Sequence, residues 1–124
     1  MSSKFKILYV DDESINLKLF EINFSEKYEV HTAPDGFSGL TSLNDNPDIL
    51  VIISDMKMPN MNGIEFIKKA KEKFPDKKFF ILTGFEITEE ILNALETGLI
   101  LRYFSKPFNL NEIDSAISEA IGSD

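Results

Sequence analysis

The chain has 124 residues, 43% hydrophobic and 27% charged, with 11 Phe and no Cys: the make-up of one folded domain (1–124) with a sizeable core and no disulfide or thiol chemistry. A formal net charge of −8 repels nucleic-acid backbones and anionic membranes, so direct binding to either is not expected. No apolar run reaches membrane-spanning length, and the amino terminus enters an apolar strand instead of reading as a signal peptide, which suits the cytoplasm.

In chain order, Phe5 to Val10 is an extended apolar run closed by Asp11-Asp12-Glu13. A helical pattern follows from Ser14 to Ser25, with Ile15, Leu19 and Ile22 as its apolar stripe and Leu17, Phe20 and Phe24 widening it. Tyr28 to Thr32 reads as a short strand, broken by Ala33-Pro34-Asp35-Gly36. Phe37, Leu40 and Leu43 then recur at helical spacing. Ile49 to Ile53 has no polar alternation and is rich in β-branched residues, the pattern of a strand buried on both faces of a parallel sheet. It ends in Asp55, ahead of the breakers Pro59 and Gly63.

The next helix has Ile64, Ile67, Ala70 and Phe74 on one face and lysines mostly on the other, and Pro75 stops it. Lys78 to Leu82 is a fourth strand ending in Thr83-Gly84. Thr88 caps a helix that Gly98 ends. Leu99 to Phe104 reads as the fifth strand, followed by Ser105-Lys106-Pro107-Phe108. In the last helix, Asn109 and Glu112 have capping-box spacing, and Leu110, Ile113, Ile117, Ala120 and Ile121 form the inner face. Leu92, Leu95, Leu99 and Leu101 suit the core, with a dimer face as the other reading. Strict strand–helix alternation with short loops predicts an α/β fold: a doubly wound parallel sheet with helices on both faces.

In such sheets the chemistry sits beyond the carboxyl ends of the strands. A lone Asp55 there would read as a turn or capping residue. Its company decides otherwise: Asp11, Asp12 and Glu13 after the first strand, Thr83 after the fourth and Lys106 after the fifth converge on the same edge. Three carboxylates about 5 Å apart repel by about 3 kcal/mol per pair at an effective dielectric near 20, so positive charge belongs among them. Hard oxygen donors with room for water suit Mg²⁺ better than zinc. The single histidine, His31, lies away from this edge and reads as structural or surface. A lysine, a hydroxyl and a metal beside a carboxylate are the equipment to hold phosphoryl oxygens during attack by that carboxylate, which suggests an aspartyl phosphate. A flavin site would need a phosphate-cradling loop where Asp11-Asp12-Glu13 stands. No P-loop or dinucleotide fingerprint occurs. A haloacid-dehalogenase-type phosphatase would carry an Asp at the position of Lys57.

The segments D-D-E at 11–13, D-x-x-M-P-x-M-x-G at 55–63, T-G at 83–84 and Y-F-S-K-P-F at 103–108 make the chain resemble the receiver domain of bacterial two-component response regulators over almost its whole length. That resemblance implies the chemotaxis-type, flavodoxin-like three-layer sandwich with strand order 2-1-3-4-5. It makes Asp55 the phosphoacceptor, Asp12 a direct Mg²⁺ ligand, Asp11 a ligand through water and the Lys57 backbone carbonyl a further ligand. Lys106 would grip a phosphoryl oxygen, Thr83 would be the switch hydroxyl and Tyr103 the switch aromatic. A cis bond before Pro107 would aim Lys106 into the site. The implied partners are a sensor histidine kinase or phosphotransfer protein, paired through the first helix, and a downstream output domain or protein. The expected state is a monomer or a weak, phosphorylation-dependent dimer. The domain would catalyse only its own phosphorylation and dephosphorylation and would not be an enzyme toward outside substrates.

Between Gly98 and Tyr103, L-I-L-R is one residue longer than the commonest receiver pattern. It resembles a variant found in receivers joined to HD-GYP-type phosphodiesterases and to some sensor kinases. Lys57 and Phe85 take positions that overhang the phosphoryl group and set water access in the family. A pseudo-receiver that binds partners without phosphate predicts loss of an acid, the acceptor or the lysine, and all are present. A phosphatase on outside substrates predicts a cap insertion, and no loop is long enough for one. A stand-alone relay and a receiver within a longer protein both fit the sequence.

Overall fold

A computed structural model describes residues 4–84 and 86–122. The elements run β1 (Lys6–Val10), α1 (Ser14–Phe24), β2 (Glu29–Ala33), α2 (Gly36–Asp45), β3 (Val51–Asp55), α3 (Gly63–Lys73), β4 (Lys78–Thr83), α4 (Glu89–Glu96), β5 (Arg102–Ser105) and α5 (Leu110–Gly122). All strand pairs are parallel, in the order β2-β1-β3-β4-β5. The apolar runs in β1, β3 and β4 therefore take the interior of the sheet, where both faces are covered.

Two cores fill the faces. Leu8, Val10, Ile52, Phe79 and Ile81 pack against α2, α3 and α4 through Leu43, Ile64, Phe66, Ile67, Ala70, Ile91 and Ala94. Ile7, Tyr9, Val51, Ile53, Phe80, Leu82 and Phe104 pack against α1 and α5 through Phe20, Phe24, Ile113, Ala116, Ile117 and Ala120. Alternation along each strand sends successive side chains to opposite cores, giving the expected three layers.

Local chemistry fixes the helix starts. Asp35 accepts from the Ser38 N–H, and Asn62 and Glu65 form a reciprocal capping box at α3. Thr88 accepts from Ile91, and Asn109 accepts from Glu112. Gly98, at φ 78°, closes α4 in the left-handed conformation that glycine tolerates.

Four expectations need correction. The Ile15–Leu19–Ile22 stripe of α1 faces outward, at 72%, 45% and 63% exposure, while Phe20 and Phe24 are buried and Leu17 packs against them. Strand β3 starts at Val51, not Ile49, because Leu50 precedes the ladder and is 40% exposed. Strand β5 is confined to Arg102–Ser105: the Leu99 and Ile100 N–H groups donate back to the Ala94 carbonyl, so this stretch is a turn leaving α4. Leu92, Leu101 and Leu110 are exposed, not core.

Candidate functional site

Strands β1 and β3 lie side by side at the sheet centre, with Val10 paired to Ser54, so Asp11 and Asp55 emerge as neighbours one step past that pair. Asp11 and Asp55 are buried and Asp12 is exposed; one carboxylate oxygen from each lies within 4.8 Å of the others. Lys106 arrives from the far side of the sheet. Its N–H donates to the Thr83 carbonyl at 2.8 Å, and a cis peptide joins it to Pro107. Its ammonium stands 3.0 Å from Asp55 Oδ1 and 3.4 Å from Asp11 Oδ2. The positive charge that the acidic cluster demands is thus supplied in part by the chain itself.

The loop after β3 shapes one wall. Asn60 takes φ 70°, a left-handed conformation that Asn tolerates. The Gly63 N–H donates to the Met56 carbonyl at 2.8 Å, and a Cβ on Gly63 would collide with the Asp55 carbonyl oxygen. Only glycine lets α3 start this close to the acidic strand end. Lys57, Met58 and Pro59 line the cleft together with Asp12, Glu13, Asp55 and Lys106.

Burial pushes the Asp55 carboxyl up to about 6; the Lys106 hydrogen bond opposes this, and the Asp11 and Asp12 charges add to it. Lys106 moves the other way to a conventional buried lysine. Burial would lower it, but the hydrogen bond to Asp55 and the Asp55 and Asp11 charges raise it. The pair is therefore an ammonium beside a carboxylate that ionises above the ordinary Asp range.

Thr83 is buried at the end of β4, in register with Ser105, and faces a second recess lined by Met56, Lys57, Asn62, Glu86 and Thr88. Tyr103 does not stand in the acidic cleft. It pairs with Ile81, two residues before Thr83 and on the same sheet face, half-buried against the α4-side core. His31 is remote and pairs with Glu29 at 2.7 Å. Phe85 lies outside the described residues.

Two contributors escaped the sequence reading. The buried Tyr9 hydroxyl donates to Asp11 Oδ2 at 2.5 Å, and the Asn16 side-chain amide donates to the same oxygen at 3.2 Å. Tyr9 lies two residues before Asp11 on the same strand face, a signal that was available. Burial, then the hydrogen bond to Asp11, raises the Tyr9 phenol above its ordinary value, so it remains a donor.

Residues 7–118 match the family described as response regulator receiver domain. The chain belongs to this family. Among receivers and their relatives, sporulation initiation phosphotransferase F of Bacillus subtilis (strain 168) is 34% identical over 116 residues, covering 92% of this chain and 91% of that protein. Hydrogenase transcriptional regulatory protein HoxA of Bradyrhizobium diazoefficiens is 27% identical, and the chain spans 98% of itself but only 25% of that protein. A response regulator receiver domain protein from Clostridium thermocellum superposes with TM-score 0.89 at 32% identity, covering 95% of this chain and 94% of that one. The receiver is a component of two-component signalling, and its flavodoxin-like fold with strand order 2-1-3-4-5 is the one seen here. Among the described residues, no helix is long and apolar enough to cross a membrane.

Proposed function

We propose that this receiver accepts a phosphoryl group on Asp55 in a Mg²⁺-dependent reaction and switches a protein-binding face. The observation that carries the reading is the Lys106 ammonium 3.0 Å from Asp55 Oδ1 inside a cluster of three carboxylates. Asp55 Oδ forms the new bond to phosphorus as the P–N bond of a donor phosphohistidine breaks and the imidazole leaves. Lys106 holds a phosphoryl oxygen, and Thr83 donates its hydroxyl to another as charge builds. Hydrolysis reverses the modification: water attacks phosphorus, the Asp55 carboxylate leaves and inorganic phosphate is released. No other substrate is needed, so the domain acts on itself alone.

The donor set fits Mg²⁺, being hard carboxylate oxygens with Asp12 open to solvent. Asp12 and Asp55 would hold the ion directly, Asp11 through water, and Lys57 by its backbone carbonyl. When bound, the ion neutralises the phosphoryl oxygens and fixes their position.

Phosphorylation adds about −1.5 to −2 charges, which favours the conformation with Thr83 and Lys106 drawn inward and Tyr103 filling the space vacated beside Thr83. The affected face is α4, β5 and α5, where Leu92 and Leu101 are exposed. A histidine kinase or phosphotransfer protein docks at the outward stripe of α1. Ile15, Leu19 and Ile22 are exposed there, and Leu19 borders a recess with Phe108, Leu110 and Lys106 that leads to the site. The output lies in a separate protein or a joined domain, with the L-I-L-R turn favouring receivers joined to HD-GYP-type domains or sensor kinases. The compartment is the cytoplasm.

The test is intact mass over time with Mg²⁺ and a small phosphodonor. One phosphoryl adduct is expected, absent in Asp55→Ala and in chelator. No adduct in the native chain would sink the reading and leave a binding module.

A further inference from the structure

Both oxygens of Asp11 are occupied by the chain before any cation is considered. The Glu13 N–H donates to Oδ1 at 2.9 Å; Tyr9 at 2.5 Å, Asn16 at 3.2 Å and Lys106 at 3.4 Å crowd Oδ2. Of the donors on Oδ2, Tyr9 is the shortest and the only one fully buried, and its ring is stacked on Phe20 at 4.2 Å between centroids with an interplanar angle of 12°. The Asn16 amide is half-buried, where water can replace it. No water reaches the phenol, so its direction is set by the core beneath it.

We propose that Tyr9 is a positioning residue for the divalent cation: its hydroxyl, locked by the Phe20 stack, fixes the Asp11 carboxylate plane and keeps Lys106 on Asp55. The inference rests on the Mg²⁺ site proposed above and extends it to a side chain that touches neither cation nor phosphoryl group. Donors that orient a ligating carboxylate govern metal affinity even though they stand one bond removed from the ion. Without the phenol, Oδ2 keeps only the half-buried Asn16 amide at 3.2 Å and the Lys106 ammonium, already 3.4 Å away and free of its shortest competitor. Lys106 then turns toward Asp11, the carboxylate rotates with it, and the water-mediated ligand position is lost.

The experiment compares native chain, Tyr9→Phe and Asn16→Ala by calorimetric Mg²⁺ titration, with phosphorylation rates from a small phosphodonor across Mg²⁺ concentrations. Phe keeps the stack and removes only the hydroxyl. Tyr9→Phe is expected to bind Mg²⁺ about 10-fold more weakly, within the range for lost partners of metal ligands, and to regain the native rate at saturating Mg²⁺. Asn16→Ala is expected to weaken binding less than Tyr9→Phe does. In the native chain, the Tyr9 ¹³Cζ resonance should move in step with Mg²⁺ saturation, a readout that needs no variant to fold. Native binding with Tyr9→Phe within twofold of it, or a Tyr9 resonance that ignores Mg²⁺, overturns this proposal alone. A native chain that takes up no Mg²⁺ overturns it together with the site reading beneath it.

Discussion

Helices α1 and α3 have the same length and opposite logic. Helix α3 carries one apolar face, turns it to the sheet and closes its own amino terminus with the Asn62–Glu65 box. Helix α1 carries two apolar stripes at helical spacing, 15-19-22 and 17-20-24, and buries only the second. Its N-cap, Glu13, makes no side-chain cap; the Glu13 N–H is satisfied instead by Asp11. Helix α3 is thus anchored by its own sequence, whereas α1 begins on the acidic site and leaves its spare stripe to solvent. That spare stripe is the surface on which the proposed docking of a phosphohistidine protein rests.

The sharpest way to break this contrast is to truncate each stripe of α1. Phe20→Ala, which opens a cavity beneath Tyr9, should cost about 3–5 kcal/mol in denaturant unfolding, and a loss below about 1 kcal/mol would mean that α1 is not held by that stripe. The acidic site comes next. The Asp55 carboxyl is raised from 3.8 to about 6, so the folded chain keeps its proton there in a range where the unfolded chain has lost it. Its contribution to stability therefore falls as pH rises from about 4 to about 6. In chelator, Asp55→Asn should stabilise the fold by about 1–3 kcal/mol near neutral pH and flatten that decline. Amide exchange should slow more in the first turn of α1 than in that of α3; equal slowing would remove the link through Asp11.

Smaller effects test the caps and the outer stripe. Asn62→Ala should cost about 1 kcal/mol and loosen the start of α3 without changing phosphorylation by a small donor by more than about twofold. Ile22→Ser should stay within about 0.5 kcal/mol of native stability and keep its small-donor rate. Transfer from a phosphohistidine protein should slow. If both donors slow equally, the outer stripe is not a docking surface.

The alternation of strands and helices, the parallel sheet and the gathering of Asp11, Asp12, Asp55, Thr83 and Lys106 at one edge were determined by sequence, because burial on both faces forces long apolar runs and carboxyl ends collect the polar turns. Helix stops at Gly98 and caps at Thr88 and Asn109 were local chemistry, readable in place. Which stripe of α1 faces inward was not, since both have the same period and the choice falls to what the fold packs around Phe20 and Phe24: the Tyr9 and Phe108 rings, Tyr28 and the inner face of α5. The end of α4 was misread for a related reason: Leu99 to Leu101 are apolar like a strand, yet two of their N–H groups return to Ala94 before the ladder begins. Tertiary structure alone decided that Lys106 would divide itself between Asp55 and Asp11, and that the Phe20 ring would stack on the phenol beside Asp11. Those contacts depend on where distant segments come to rest, and residue spacing along the chain carries no record of that.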